Sequence, residues 1–394
     1  MAGNRDRPRR SEAIDKIGDI AARAGLRRIH ILAWRDLADV EAGGSELHAA
    51  TVARLWAQAG IDVTMRTSFA QGAPAESARG GYRVIRRAGR YMVFPRGVAA
   101  ELAGRHGERD GLVEVWNGVP WMTPVWARGP RVTWLHQYHG DMWRMVLPPN
   151  LAHAGELLER RIAPPLYRRE RIVTLSESSR RDLVDRLDLH PDRVSVVPPG
   201  VDGRFRPGGE RHPAPLVVAV GRLMPVKRFD VLIATMAAVR DRVPGTELVI
   251  VGEGAERERL EDLVDALDAA EWVQLPGRLG DEDLVRLYQR AWLLVSASAA
   301  EGWGMTVTEA AACGTPAVVT DIPGHRDAVE PDVTGVLAPL PDLSPAVAAV
   351  LADPARRNRL GAAALARAAT FTWEATAAGT LQALAAAAEA RRHP

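Results

Sequence analysis

At 394 residues the chain is longer than one hydrophobic core normally supports, so two domains of about 150–200 residues each are expected. A hydrophobic content of 47% with 25% charged residues is ordinary for a soluble protein, and no apolar run approaches the roughly 20 residues of a membrane span, which argues against an integral membrane protein. The single cysteine, Cys313, excludes an intramolecular disulfide and a cysteine-built zinc site, suits a reducing cytoplasm, and reads as a small core residue.

Net charge is only +2, but it is unevenly spread: residues 1–200 carry 31 basic against 23 acidic groups, leaving 20 against 26 for the rest. A basic front half suits an anionic membrane or substrate, although solvated surface arginines are the commoner cause. Only Lys16 and Lys227 are lysines, so Lys227 stands out against an arginine-rich background. The opening stretch "MAGNRDRPRRSEAIDKIGDI" lacks an apolar core with a small-residue cleavage site, and a cytoplasmic location without a secretory signal is expected.

In chain order, residues 1–28 are polar and arginine-rich with one modest helical pattern, which predicts a loose arm. The fold is expected from about Ile29. "RIHILAW" reads as a buried strand, followed by the loop "RDLADVEAGG", a helix from about Ser45 closed by Gly60, and the strand "IDVTM". Further strands are expected at "YRVIRR", "LVEVWN", "RVTWLHQ", "RIVTLS" and "RVSVVPPG", with "SESSRRDLVDRLDL" helical between the last two. The segment 197–215, rich in proline and glycine, reads as a linker. Beyond it strand and helix alternate again, from "PLVVAVGR" to "WLLVSAS", and the tail "WEATAAGTLQALAAAAEARRHP" is a strong helix former.

This alternation predicts an α/β protein of two parallel sheets in tandem: an arm over 1–28, domains over 29–205 and 206–372, and a final helix over 373–394. Parallel sheets bind ligands beyond the carboxyl ends of their strands, where loops and helix N-termini converge. Several candidate residues fall there. Gly43 and Gly44 precede the first long helix, where missing side chains let amides approach an anion; a flexible turn is the plainer reading. His136 ends its strand, with His139 and Asp141 behind it. Arg222 follows "VVAVG", and Lys227 lies at the opening of a helix, a pairing suited to a diphosphate. "GEG" at 252–254 is not a full dinucleotide fingerprint.

The block "EGWGMTVTEAAACGTPAVVT" places Glu301 in the loop after "WLLVSAS" and Glu309 one turn into a short helix from about Met305. Gly302 and Gly304 admit close backbone approach, amides near Gly304, Met305 and Thr306 can hold phosphate or sugar oxygens, and each carboxylate can accept hydroxyl hydrogen bonds. A glycosidase acid and nucleophile would also be two carboxylates, but nothing else in the sequence supports that chemistry. A loop acid beside a solvated helix acid is the plainer alternative.

Taken in order, "AGGSE", "WLH", "VTLSESSRRDL", "VVPPGVD", "VGRLMPVKRFD", "LVIVGEG", "VQLPGRL" and this block resemble the retaining glycosyltransferases of family 4, over about residues 29–385. The resemblance implies the GT-B fold of two Rossmann-like domains facing across a cleft, an acceptor-side domain first and a nucleotide-sugar domain second, with the last helix crossing back. It implies a hexose-type sugar moved from a nucleotide-sugar to a glycan, lipid-carrier or secondary-metabolite acceptor, by front-face attack with retention, no metal and no cofactor. By the same resemblance, Glu309 would hold the ribose, Glu301 the donor sugar, and Arg222 and Lys227 the departing diphosphate. Gly43 and Gly44 would meet phosphates and His136 the donor sugar. Gly302, Trp303, Gly304, Met305, Thr306, Gly277 and Arg278 complete the expected donor contacts.

"LHQYHGDMW" departs from the usual His-Asp pattern, so His139 and Asp141 have no assigned role beyond acceptor candidates. Trp121 and Trp143, with Trp126, are read as loop residues near the cleft whose faces would stack on an acceptor, ordinary packing being the alternative. "DED" at 281–283 resembles an Asp-x-Asp metal motif, but its place at a helix start assigns it to capping. "GELLERRIAPPLYRRERIV" carries a basic, partly apolar face compatible with weak peripheral membrane contact, a solvated face being commoner. No nucleic-acid partner is expected. The competing classes are an NAD(P)-dependent oxidoreductase, which the absent Gly-x-Gly-x-x-Gly disfavours, and an inactive nucleotide-binding module.

Overall fold

The computed structural model describes residues 11–392. Its first sheet uses β1 (Arg28–Leu32), β2 (Asp62–Thr67), β3 (Glu76–Arg79), β4 (Tyr82–Arg86), β5 (Gly111–Trp116), β6 (Arg131–Leu135), β7 (Ile172–Thr174) and β8 (Val194–Val196), in the order β3-β4-β2-β1-β5-β6-β7-β8. From β4 to β7 the neighbours pair in parallel, and β3 pairs antiparallel with β4 in a hairpin closed by Gly80 and Gly81, both at positive φ. The second sheet, β9 (Leu216–Val220), β10 (Glu247–Val251), β11 (Val273–Gly277), β12 (Leu293–Ser296), β13 (Ala317–Thr320) and β14 (Gly335–Ala338), runs β11-β10-β9-β12-β13-β14 and is wholly parallel.

Every strand expected from apolar runs is present. The strand Glu76–Arg79 was not expected, because "ESAR" has no apolar side and pairs only at the sheet edge. The sheets change over within 197–215, whereas the compact units divide differently: of the described residues, 11–135, 169–173 and 373–392 form one, and 136–168 with 174–372 the other.

In the first unit the expectation of a loose arm over 1–28 is corrected. Glu12–Ala24 is a helix that buries Ile14, Ile17 and Ile20 and packs against the helix Trp373–Arg392. Its apolar residues recur at three-residue spacing, one helical face, and the arginines that suggested an arm lie mostly at 1–10, outside the described residues. The helix Trp373–Arg392 also packs on Gly44–Gln58, and Trp56 Nε1 donates to the Ala377 carbonyl at 2.9 Å. Trp134 sits edge-on between His48 and Trp56, with ring centroids 4.9 and 5.7 Å away.

In the second unit Val217, Leu248, Leu293 and Val318 share one core cluster, and Val218, Leu294 and Val319 another. Such continuous apolar strands, buried on both faces, are what a parallel sheet covered by helices requires. Cys313 is 3% exposed in the latter cluster, and burial pushes its thiol up to about 11.

Candidate active site

In the second sheet β9 leads by crossover to β10 on one side, while β12 lies on the other, so the strand order reverses between β9 and β12. The loops after these two strands carry the charged candidates. After β9 the chain passes Gly221 and Arg222 into a single turn, Pro225–Lys227, and the helix Phe229–Arg240 follows. After β12 it passes Ser298 and Glu301 into the helix Met305–Ala312.

The structure brings Lys227 and Glu301 together: Nζ lies 2.5 Å from Oε1, with side chains 20% and 15% exposed. Ser298 Oγ donates to the same Oε1 at 2.9 Å, and Oε2 has no protein partner among the described residues. Burial alone would raise the Glu301 pKa; the Lys227 ammonium, the nearby His325 and the two hydrogen bonds outweigh it and hold the carboxyl below its usual range. Glu301 is therefore a carboxylate at neutral pH, with one oxygen available to a hydroxyl donor.

Glu309 has the opposite electrostatics. It lies in the helix Met305–Ala312, accepts the Tyr288 hydroxyl at 3.1 Å, and burial raises it to about 7, with Arg204 only partly opposing. Arg204 is itself paired with Asp281. Asp281, Glu282 and Asp283 occupy the first turn of the helix Asp281–Arg290, where their charge complements the helix dipole, but the N-cap is Gly280 and no side chain caps it.

Close backbone approach shapes both loops. A Cβ on Gly252 would lie 1.9 Å from the Gly221 carbonyl oxygen, and one on Gly254 2.3 Å from that of Leu223. Leu223 N–H in turn donates to the Glu253 carbonyl at 2.9 Å. "GEG" thus serves to seat the Arg222 loop. On the other loop Gly304 has φ 100° and opens the helix Met305–Ala312, whose first N–H groups have no acceptor within the helix. Gly324, at φ 84°, lies where a Cβ would meet the Glu301 carbonyl oxygen at 2.4 Å.

Two further segments support this loop. The carbonyl of His136 would lie 2.9 Å from a Cβ on Gly302, so the chain after β6 runs directly against the Gly302 backbone. The His136 ring is buried, which lowers its pKa to about 4 and leaves it neutral. Ser179 Oγ reaches the Gly302 carbonyl at 3.3 Å, Ser178 Oγ accepts the Gly324 N–H at 2.8 Å, and Asp327 accepts the N–H groups of Glu177 and Ser178 at 2.9 and 3.2 Å. Sequence reasoning missed Ser178, Ser179, Tyr288, His325 and Asp327; "SESS" and "GHRD" were the local signals, but their contacts join positions more than 120 residues apart.

Other expected residues fall elsewhere. Gly277 ends β11 at φ 81° and accepts the Gly252 N–H at 2.9 Å, while Arg278 beside it is exposed. The Trp303 side chain turns into the core against Phe371, with centroids 5.1 Å apart, so only its backbone faces the loop. The reading of Trp121 and Trp143 as acceptor platforms is corrected. Trp121 is 2% exposed and lies tilted against Phe94, with centroids 4.8 Å apart, and Trp143 is 7% exposed with Nε1 bonded to Glu159 at 3.0 Å. Large aromatic faces gain more from burial in these cores than from exposure. The buried Glu159 carboxylate also accepts the N–H groups of His139 and Gly140, at 2.9 and 3.0 Å, which fixes this loop and leaves Asp141 exposed.

In the first unit Gly43 precedes the helix Gly44–Gln58 in an extended conformation, and its N–H donates to Glu46 at 2.8 Å. Glu46 is held in turn by Arg35 at 3.2 Å. The loop is thus built around a buried ion pair, with Gly44 exposed at its tip.

Among the described residues His30, Glu101 and His106 have the composition of a metal site. Both imidazole Nδ1 atoms meet Glu101 Oε1, at 2.9 and 2.6 Å, and Arg109 takes Oε2 at 3.0 Å. Burial alone would raise Glu101; the histidine hydrogen bonds outweigh it and hold the carboxyl well below its usual range. A carboxylate satisfied on both oxygens, one by a guanidinium, is a packing element of this unit.

Two open, mostly parallel sheets, with charged loops at the strand-order reversal of the second, define the class of α/β proteins that bind ligands at such a switch point. The family model described as Glycosyl transferases group 1 matches residues 204–367, and that described as Glycosyltransferase Family 4 matches residues 42–205. A D-inositol 3-phosphate glycosyltransferase of Segniliparus rotundus is 30% identical over 91% of this chain and 88% of its own length. One of the same name from Kineococcus radiotolerans is also 30% identical, over 91% and 94%. Others of that name align over about half of their length, such as the one from Nocardia farcinica, 35% identical over 53% of it.

The chain belongs to the group 1, family 4 glycosyltransferases. Sucrose-phosphate synthase from Thermosynechococcus elongatus superposes with a TM-score of 0.78 at 23% identity, covering 89% of this chain and 96% of its own. WaaG, a glycosyltransferase involved in lipopolysaccharide biosynthesis, superposes at 0.70 and 17%, covering 90% and 98%. The fold is GT-B, and an oxidoreductase is not favoured.

Proposed function

We propose that the enzyme moves a hexose-type sugar from a nucleoside diphosphate sugar to a glycan, lipid-carried or small-molecule acceptor, with retention at the anomeric carbon and without a metal. The observation that carries the reading is the Lys227 and Glu301 pair at the β9/β12 reversal, with Glu301 Oε2 open to a sugar hydroxyl. The bond from the anomeric carbon to the diphosphate oxygen breaks, and charge grows on the leaving group. Lys227, Arg222 and the N-terminus of Met305–Ala312 are cationic or dipolar groups suited to stabilise it. The acceptor oxygen then bonds to the anomeric carbon on the same face, and its proton passes to the departing diphosphate. Glu309 is assigned to the ribose hydroxyls, and Gly43 and Gly44 to a phosphate contact. The reaction takes place in the cytoplasm.

The structural relative HepE of Anabaena is described in complex with UDP and glucose, which supports UDP-glucose as the first donor to try. The name of the curated relatives likewise supports D-inositol 3-phosphate as one acceptor to try. The test is nucleoside diphosphate release from a panel of nucleotide-sugars in EDTA, with the product's anomeric configuration read by proton NMR. Retention in EDTA is expected. Inversion, or a strict metal requirement, would overturn the mechanism, and hydride transfer or no turnover on any donor would overturn the reaction class.

A further inference from the structure

The helical run Pro149–Tyr167 shows an unusual surface. It consists of the α-helix Pro149–Leu157, a π-helical turn Leu158–Ile162 and the α-helix Ala163–Tyr167. Its inward face is Ala152, Gly155, Glu159, Ala163 and Tyr167, all buried. Its outward side exposes Leu151, Leu157, Ile162 and Leu166 to between 40% and 56%, although a folded surface usually scatters such side chains singly. The π turn lies between the two α segments and carries the buried Glu159.

Charge decides what fits this face. Arg160, Arg161 and Arg168 are exposed among the apolar side chains, and Arg161 makes no ion pair among the described residues. The two acids of the run are spent elsewhere: Glu156 on Arg144, and Glu159 on the buried loop. A second copy docked by a two-fold axis would set these arginines against one another. Arg168 is paired with Asp188, which leaves Arg160 and Arg161 as the unneutralised guanidinium groups; apolar side chains flanked by these two instead match the acyl boundary and headgroups of an anionic bilayer.

We propose that Pro149–Tyr167 docks this enzyme on an anionic lipid surface. The inference is independent of the donor chemistry. Through Glu159 the run is tied to the loop after β6, so the lipid surface lies next to the segment that follows His136.

The test is co-sedimentation of the full chain with phosphatidylcholine vesicles, with and without phosphatidylglycerol. Binding only to the mixed vesicles is expected. The double variants Ile162→Asn/Leu166→Asn and Arg160→Ser/Arg161→Ser should each bind at least tenfold more weakly at unchanged Tm, arginine contributing about fivefold per residue. No binding to mixed vesicles, or equal binding by both variants, overturns the proposal. So does a wild-type dimer in solution that Ile162→Asn dissociates, which assigns the face to a second copy. Vesicle binding without nucleoside diphosphate release would defeat the proposed transferase reaction and leave this inference standing.

Discussion

Lys227 and Glu301, 74 residues apart, form a 2.5 Å ion pair at the point where the strand order of the second sheet reverses. Each side chain lies in the loop after its strand, β9 for the lysine and β12 for the glutamate. The pair places an ammonium and an open carboxylate oxygen side by side, one suited to the leaving diphosphate and the other to a sugar hydroxyl in the proposed reaction.

Replacing Lys227 with alanine removes the cation proposed to face the leaving group. We expect kcat to fall by roughly a hundredfold or more, the loss typical of one preorganised electrostatic contact. KM for the donor should change less. Because Glu301 then lacks its counter-charge, the variant should also lose about 1–2 kcal/mol of stability, discounted for the partial exposure of the pair and the remaining Ser298 bond. Steady-state kinetics and urea denaturation check both.

Glu309 gives the site a pH dependence. Its carboxyl is raised by burial to about 7; in the proposed complex ribose hydroxyls donate to the carboxylate form, so bound nucleotide would lower the pKa. Affinity should therefore be full above about pH 8 and fall as pH drops through 7 toward 5. In the free protein the sign is opposite: the folded carboxyl binds a proton more readily than the unfolded one, so its cost to stability appears as pH rises from about 4.5 to 7. Glu309→Gln should raise Tm at pH 8 by about 2 °C while weakening nucleotide binding. Calorimetric titration from pH 5 to 9 distinguishes this from a purely structural role.

Much of the fold was legible because parallel strands buried on both faces appear as continuous apolar runs, as "LVVAV" and "LVIV" do. Glu76–Arg79 was hidden by its polarity; the helical pattern of Glu12–Ala24 was read, but the arginines before it suggested an arm and hid its packing. The charged candidates were legible for a related reason: Arg222, Lys227 and Glu301 directly follow strong strands. Trp121 and Trp143 were misplaced because composition shows that a tryptophan is present, not whether a core claims its face. Ser178 and Asp327 were invisible because their role arises from a contact spanning 149 residues.

The glycines of "GEG" test how far loop seating matters. Gly252→Ala would place a Cβ 1.9 Å from the Gly221 carbonyl, at φ 148°, where an L side chain is also strained. We expect a loss of about 3 kcal/mol in stability together with weaker donor binding, because the Arg222 loop must move. Gly245→Ala, at a positive φ with no neighbour within 4 Å, is the control for backbone strain alone and should leave donor affinity unchanged.

Asp327 satisfies two N–H groups in the first turn of the helix Glu177–Leu187, and Ser178 of that turn holds the Gly324 N–H. Asp327→Ala should cost about 1–2 kcal/mol as a lost cap. Since Gly324 packs against the Glu301 backbone, the KM for donor should rise as well, and Asp327→Asn should restore part of both.

The central claim is that the second unit binds a nucleoside diphosphate through Glu309 and the Lys227 loop without metal. The most direct measurement is a thermal-shift panel of UDP, GDP, ADP, dTDP and NAD(P), each with and without EDTA, on the wild type and Glu309→Ala. One diphosphate should raise Tm equally in EDTA, and the shift should vanish in Glu309→Ala. A shift with NAD(P) alone, or a diphosphate shift abolished by EDTA, would contradict the claim.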